Sequence, residues 1–375
     1  MTVDILWKKF PIKQSELCLS KVLRCGQAFR WKNIHDVWSF AIRDRVVLLK
    51  QDEEYIHYSQ LMLESSKISA ADSDATLSFV EDYFSLNLDL QELYSHWQLQ
   101  HSKYHHPSKV SPFDVFKGIR ILHQDPWETL ISFICSSNNN VKRISKMCEN
   151  ICVEFGEHIT EYDGVSFYAF PEPERLAEPH VEARLRELGF GYRAKYIYQT
   201  ACKLTGDDPE LSVAKLNEMR EHDYDTAHEF LLQLSGVGPK VADCICLMAL
   251  EKHDVVPVDT HVYQIAIRDY KFKGKRDMKT MNKVVYKSIR EHFKGIFGPY
   301  AGWAQSVLFT ADLGDLKNGT NIEKTDTETE AQVKSAVKIE VKTEVQSEVE
   351  VVPSRNKRNV SPIIKMETKR VKVLS

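Results

Sequence analysis

A lysine, a carboxylate and a glycine-rich turn between two apolar segments are the residues of this chain best suited to chemistry. Lys240 lies in Leu234-Ser-Gly-Val-Gly-Pro-Lys-Val-Ala-Asp243, and Asp259 follows in Val256-Pro-Val-Asp-Thr-His261. A neutral lysine amine is a nucleophile that can form an imine with an electrophilic carbon. Its place near a positive helix terminus predicts a lowered pKa, which favours the amine. A carboxylate in a Pro-flanked loop has the chemistry to stabilise a positive charge and to move protons. Both residues also have plainer readings. Lys240 can serve a DNA-binding hairpin by charge alone, and Asp259 stands where a helix N-cap would.

The elements that must position this pair are legible from spacing. Ala227, Phe230, Leu231 and Leu234 recur at i, i+3, i+4 and i+7, which predicts a helix over 225–234. Gly236 and Gly238 allow a tight turn, and Pro239 suits the first turn of a second helix, running to Leu250. Between Val241 and Leu250 only Asp243 is charged, so that helix is expected to be buried on most sides. The amides of Gly236, Val237 and Gly238 would face a phosphate, and hairpin carbonyls could hold a monovalent cation. Gln305 and Phe309 share one helix face, where a ring can stack on a base and an amide can read its edge. The same spacing is also that of ordinary core packing.

Four further stretches narrow the reading: Cys25-Gly-Gln-Ala-Phe-Arg-Trp31, Ser132-Phe-Ile-Cys-Ser-Ser-Asn-Asn-Asn140, Leu188-Gly-Phe-Gly-Tyr-Arg-Ala194 and Gly298-Pro-Tyr-Ala-Gly-Trp-Ala-Gln305. With the hairpin and the Pro-Val-Asp loop, in this order from about Ser15 to Asp312, they resemble the eukaryotic 8-oxoguanine DNA glycosylase/lyase family within the helix-hairpin-helix superfamily. The resemblance implies that Lys240 is the nucleophile and Asp259 its partner. It implies that Cys244 and Phe309 sandwich the flipped base, that Gln305 bonds its edge, and that Met248 and Pro257 complete the pocket. Gly26 would offer a carbonyl to the N7 proton that oxidised guanine has and guanine lacks. Asn138 would fill the vacated stack, Arg143, Tyr192 and Arg193 would read the estranged cytosine, and His261 would contact phosphate or be structural.

The bulk composition sets bounds. The 375 residues, 43% of them hydrophobic, fit two domains and a tail. A net charge of −3 neither requires nor excludes nucleic acid, because a local basic groove suffices. No run of about 18 apolar residues would span a membrane, and the first residues lack signal-peptide character. Eight scattered cysteines read as free thiols of an intracellular protein, and the absence of cysteines beyond Cys246 argues against an iron–sulfur cluster after the Pro-Val-Asp loop.

The expected fold class is α+β. An N-terminal antiparallel-sheet domain with helices (1–107) contains strands at Trp38–Ile42, Val46–Leu49 and Tyr55–Tyr58. From Ser111 the chain is expected to be helical, forming a catalytic domain over 108–315. The tail, 316–375, is rich in Glu, Lys, Thr and Val without aromatics and is expected to be disordered, its Val337, Ile339 and Val341 alternation marking at most a weak strand. Its end, Arg355-Asn-Lys-Arg358, reads as a nuclear-import signal or a DNA-binding arm. The expected function is a monomeric, cofactor-free nuclear enzyme, with a mitochondrial pool left open, that excises 8-oxoguanine opposite cytosine in double-stranded DNA and nicks the strand. The rivals are the same scaffold acting on another lesion, and a DNA-binding sensor without catalysis.

Overall fold

Five antiparallel strands form the N-terminal sheet: β1 (Lys8–Pro11), β2 (Lys32–Ile34), β3 (Val37–Ile42), β4 (Arg45–Gln51) and β5 (Tyr55–Met62), in the order β1-β5-β4-β3-β2. The structure, a computed structural model, describes residues 5–62, 70–106, 108–274 and 282–313, and only the backbone of 70–74. The charged tail, with its predicted disorder and basic end, lies outside the described residues. Strand β4 carries the continuous run Val46-Val-Leu-Leu49, fully buried, rather than an alternation. Both of its faces are covered. Val47 and Leu49 pack with Trp38, Ile56 and Val80 on one side, and Val46 and Leu48 with Ile159 and Phe167 on the other.

That second cover departs from the sequence expectation. The chain is not helical throughout after Ser111: β6 (His158–Tyr162) and β7 (Val165–Tyr168) form a hairpin whose apolar side closes the N-terminal sheet. Its turn residues Asp163 and Gly164 both have positive φ, +51° and +75°. An Asp-Gly pair flanked by short alternating segments favours such a two-residue turn, so the signal was present in the sequence.

Most of the remaining chain is helical around one large core. The helix Pro126–Ser136 buries every residue from Pro126 to Cys135 except Glu128, and Asp125 caps it by accepting from the Glu128 N–H at 2.8 Å. Glu128 instead meets Arg30 at 2.6 Å, and Arg30 also donates to the carbonyls of Ala41 (3.1 Å) and Tyr168 (3.0 Å). This buried guanidinium joins the sheet, the β6–β7 hairpin and the helical core. The neighbouring Gln27 donates to the Arg120 carbonyl at 2.9 Å and accepts from Leu122 N–H at 3.0 Å. Those bonds fasten the segment bearing Gly26 against the helical part.

Candidate active site

The helix Tyr224–Leu232 begins at an Asp223 cap that accepts from Thr226 N–H at 2.8 Å, and it buries Ala227, Phe230 and Leu231 as the periodicity requires. Gly236 turns the chain at φ +82°, and a Cβ there would lie 2.7 Å from the Cβ of Tyr196, so both conformation and space demand glycine. Gly238 then caps the helix Pro239–Met248, in which every residue from Val241 to Met248 is buried. The hairpin therefore delivers Lys240 at the start of a helix rigidly set in the core.

Asp259 arrives from the opposite direction. It is the N-cap of the helix Thr260–Asp269, and its Oδ1 accepts from Val262 N–H at 2.9 Å. One oxygen is held by the cap and the other is left for the site. The helix Ala301–Asp312, buried from Ala301 to Leu308, brings Gln305 and Phe309. Gly26 enters from the N-terminal segment with φ +83°, its Cβ position 4.0 Å from Phe309 Cε1.

These residues line one small cavity of about 60 Å³: Gly26, Lys240, Cys244, Met248, Pro257, Asp259, Gln305 and Phe309 share it with Cys25, Gln27, Phe133, Val262 and Ser306. All eight residues expected to act on sugar or base converge there. Gln305 is 6% exposed, and its amide has no hydrogen-bond partner among the described residues, which leaves it available to a ligand edge. Phe133 was not singled out from sequence. Its ring faces the Lys240 Nζ, 5.4 Å from the centroid, and only the tertiary fold shows this. A larger cleft of about 870 Å³ lies along Arg30, Phe40, Tyr83, Trp127 and Phe170 and contains none of the expected site residues. Size alone would point to this cleft and away from the expected residues.

The electrostatics correct one expectation. Burial pushes the Lys240 ammonium down, but Cys244 and the Asp259 carboxylate push it back, and the balance lies above the ordinary lysine value rather than below it. Burial is outweighed by the Cys244 sulfur and the Asp259 carboxylate close by. Burial in turn pushes the Cys244 thiol up, with Lys240 opposing.

The residues expected to read DNA lie outside this cavity. Asn138 is exposed at φ +48°, on the loop after the Pro126–Ser136 helix. Arg193 is 3% exposed and donates to the Ser137 carbonyl and, at 3.1 Å, to the Asn138 carbonyl. Tyr192 donates its hydroxyl to Ser137 O at 3.0 Å, and its ring lies 4.6 Å beneath the Arg193 guanidinium. In this state both hold the asparagine loop. Arg143 is exposed and donates to Gly189 O at 3.2 Å, which links the two loops. Of the hairpin amides, Val237 N–H already bonds Leu234 O at 3.3 Å. His261 stacks edge-on to Phe309 at 6.0 Å and lies 3.5 Å from Asp312.

The hairpin, its lysine and the capped aspartate define a class, and comparison with known proteins finds it. Residues 131–288 match the family described as HhH-GPD superfamily base excision DNA repair protein, and residues 9–130 match 8-oxoguanine DNA glycosylase, N-terminal domain. The chain is 39% identical to an N-glycosylase/DNA lyase of Saccharomyces cerevisiae, over 83% of this chain and 88% of that one. It is 37% identical to an Arabidopsis thaliana N-glycosylase/DNA lyase, over 82% and 80%. A Clostridium acetobutylicum 8-oxoguanine glycosylase/lyase, solved with double-stranded DNA containing cytosine opposite 8-oxoguanine, superposes with a TM-score of 0.67 at 28% identity, covering 85% of this chain and 99% of that one. The chain belongs to the 8-oxoguanine N-glycosylase/DNA lyase family.

Proposed function

We propose that this protein is a bifunctional glycosylase that removes 8-oxoguanine opposite cytosine and then cleaves the strand by β-elimination. The observation that carries the reading is the convergence of Lys240, Asp259, Gly26, Cys244, Gln305 and Phe309 on one cavity beside a helix-hairpin-helix. The cavity is smaller than a purine, so base entry requires side chains to part. Phe309, half-buried at the cavity edge, is suited to swing and stack.

The chemistry runs through Lys240. The ammonium first loses a proton, and the amine forms a bond to C1′ as the bond from C1′ to the base breaks. The base leaves with that electron pair and takes up a proton. Opening of the sugar ring gives an iminium, whose positive charge the Asp259 carboxylate opposes. Loss of a C2′ proton then expels the 3′ phosphate. The Gly26 carbonyl selects the lesion, because only the oxidised base presents a proton at N7.

Outside the cavity, the exposed Asn138 is placed to enter the emptied stack. Arg143, Tyr192 and Arg193 would exchange loop carbonyls for cytosine as it opens, and Gly236, Val237 and Gly238 would hold phosphate, assisted by His261. The carbonyls of Leu234 and Ser235 accept from Val237 N–H and from the Thr200 hydroxyl, and each keeps a lone pair with which to hold a monovalent cation. Among the described residues no helix is long and apolar enough to cross a membrane, and no group of three or more His, Cys, Asp or Glu is placed to hold a metal. We assign the protein to the nucleus, on its substrate and on the basic segment at 355–358.

Borohydride trapping on a duplex with one 8-oxoguanine opposite cytosine, comparing wild type with Lys240→Gln, tests the reading. A covalent adduct in wild type only, with lesion binding kept in the variant, is expected. Tight lesion binding without any adduct would favour a sensor, and strong cleavage of thymine glycol with none of 8-oxoguanine would assign another lesion.

A further inference from the structure

A buried carboxylate one turn beyond Lys240 takes no part in the chemistry above. Asp243 is fully buried, its Oδ1 accepting from the Tyr224 hydroxyl at 2.8 Å and its Oδ2 from the Tyr286 hydroxyl at 2.6 Å. Arg290 Nε stands 3.5 Å from Oδ2 and His228 Nε2 3.6 Å from Oδ1. Arg290 also donates to the Tyr224 hydroxyl and lies 4.1 Å over its ring. A charge taken into a core is costly, and a well-packed apolar residue often serves stability as well or better. Its neighbours Ala242, Cys244, Ile245 and Cys246 are all buried without charge. Stability alone is thus a weak account of Asp243.

Tyr286 supplies a better one. Its hydroxyl donates to Asp243 and also accepts from Val258 N–H at 3.3 Å, and Val258 immediately precedes Asp259. A single hydroxyl therefore ties the helix bearing Lys240 to the loop bearing its partner carboxyl. Tyr286 sits on the helix Lys283–Phe297, which contributes no residue to the cavity lining. The cap to Val262 fixes Asp259 along its own helix, but not its distance from the lysine helix. We infer that Asp243 and Tyr286 are positioning residues, and that the Asp243–Tyr286–Val258 link sets the approach of Lys240 to Asp259. The inference rests on the glycosylase/lyase reading. Two groups that must act on the same C1′ tolerate little misplacement, and an error of about 1 Å can cost on the order of a hundredfold in rate.

Tyr224 provides the control, because it bonds the same carboxylate but not the Asp259 loop. Tyr286→Phe and Tyr224→Phe each delete one hydroxyl and keep the ring. Single-turnover excision and borohydride trapping on the 8-oxoguanine:cytosine duplex would be measured beside lesion affinity and thermal melting. Both variants are expected to melt below wild type by similar amounts. Tyr286→Phe should slow imine formation about tenfold or more, with lesion affinity within about twofold of wild type, whereas Tyr224→Phe should stay within about twofold in rate. Asp243→Leu, of similar length and with no acceptor for the Tyr286 hydroxyl, should reproduce the slow phenotype and carries the comparison should Tyr286→Phe not fold. Equal slowing by the two tyrosine variants, or unchanged chemistry in Tyr286→Phe and Asp243→Leu, would reduce the cluster to core packing. Failure of wild type itself to trap would overturn the proposed function, a result distinct from either.

Discussion

Asp259 holds a cap and faces the site at once, and these duties can be separated by two substitutions. The cap is one bond, from Val262 N–H to Oδ1 at 2.9 Å. Asparagine caps about as well as aspartate, whereas alanine at an N-cap costs about 1 kcal/mol. For a protein of this size that corresponds to a melting shift of about 2 °C. Asp259→Ala should therefore melt about 2 °C low, and Asp259→Asn should match wild type. Chemistry should not follow that order. Both variants lose the carboxylate that in the proposed mechanism opposes the iminium charge and assists proton transfer, so both should lose on the order of a hundredfold or more in single-turnover excision. The assay pairs a thermal melt with excision kinetics on the 8-oxoguanine duplex. An Asn variant that keeps wild-type rate would show that Asp259 only caps. An Asn variant as unstable as Ala would show that the cap depends on charge.

Two further outcomes concern pH. Lys240 lies above the ordinary lysine value, so the resting enzyme holds an ammonium and the amine fraction grows about tenfold per pH unit below that pKa. Single-turnover imine formation should rise steadily from pH 6 to 9, and a flat profile would mean that substrate binding removes the proton first. His101, 5% exposed and bonded to the Tyr270 hydroxyl at 2.7 Å, is pushed down by burial to about 4. The folded state thus refuses a proton that the unfolded chain accepts below pH 6.5. The associated stability is complete above 6.5 and is lost as pH falls through 4, by on the order of 3 kcal/mol in all and about 2 kcal/mol by pH 5. Urea midpoints at pH 7.5 and 5 should converge in His101→Gln relative to wild type, and an equal acid loss in both would assign the effect elsewhere.

Much of this was written locally. The period of Ala227, Phe230, Leu231 and Leu234, the Gly-Val-Gly-Pro turn and the uncharged run after Lys240 specify the hairpin, because helix periodicity and turn chemistry act over a few residues. Asp259 as a cap followed from its place before an apolar stripe. The β6–β7 hairpin was also legible, in Asp163-Gly164 between alternating segments, but its helical surroundings outweighed a short signal. The unbroken Val46–Leu49 run could mark either a strand or a helix segment. Only the cover on both sheet faces explains why it does not alternate.

The sequence by itself determined which residue types are suited to the proposed chemistry and which local elements hold them. Tertiary structure decided what stands next to what. Lysine's pKa is set by burial, Cys244 and Asp259, the last on a different element, and no helix-end rule contains them. Arg193 is committed to the Ser137–Asn138 carbonyls, and Phe133 lies under the Lys240 amine. Tyr286 reaches Asp243 from a position 43 residues away. The physical reason is range. Periodicity, capping and turns act within a few positions of the chain, whereas Coulomb terms, desolvation and hydrogen bonding depend on distances in space that only the packed fold supplies.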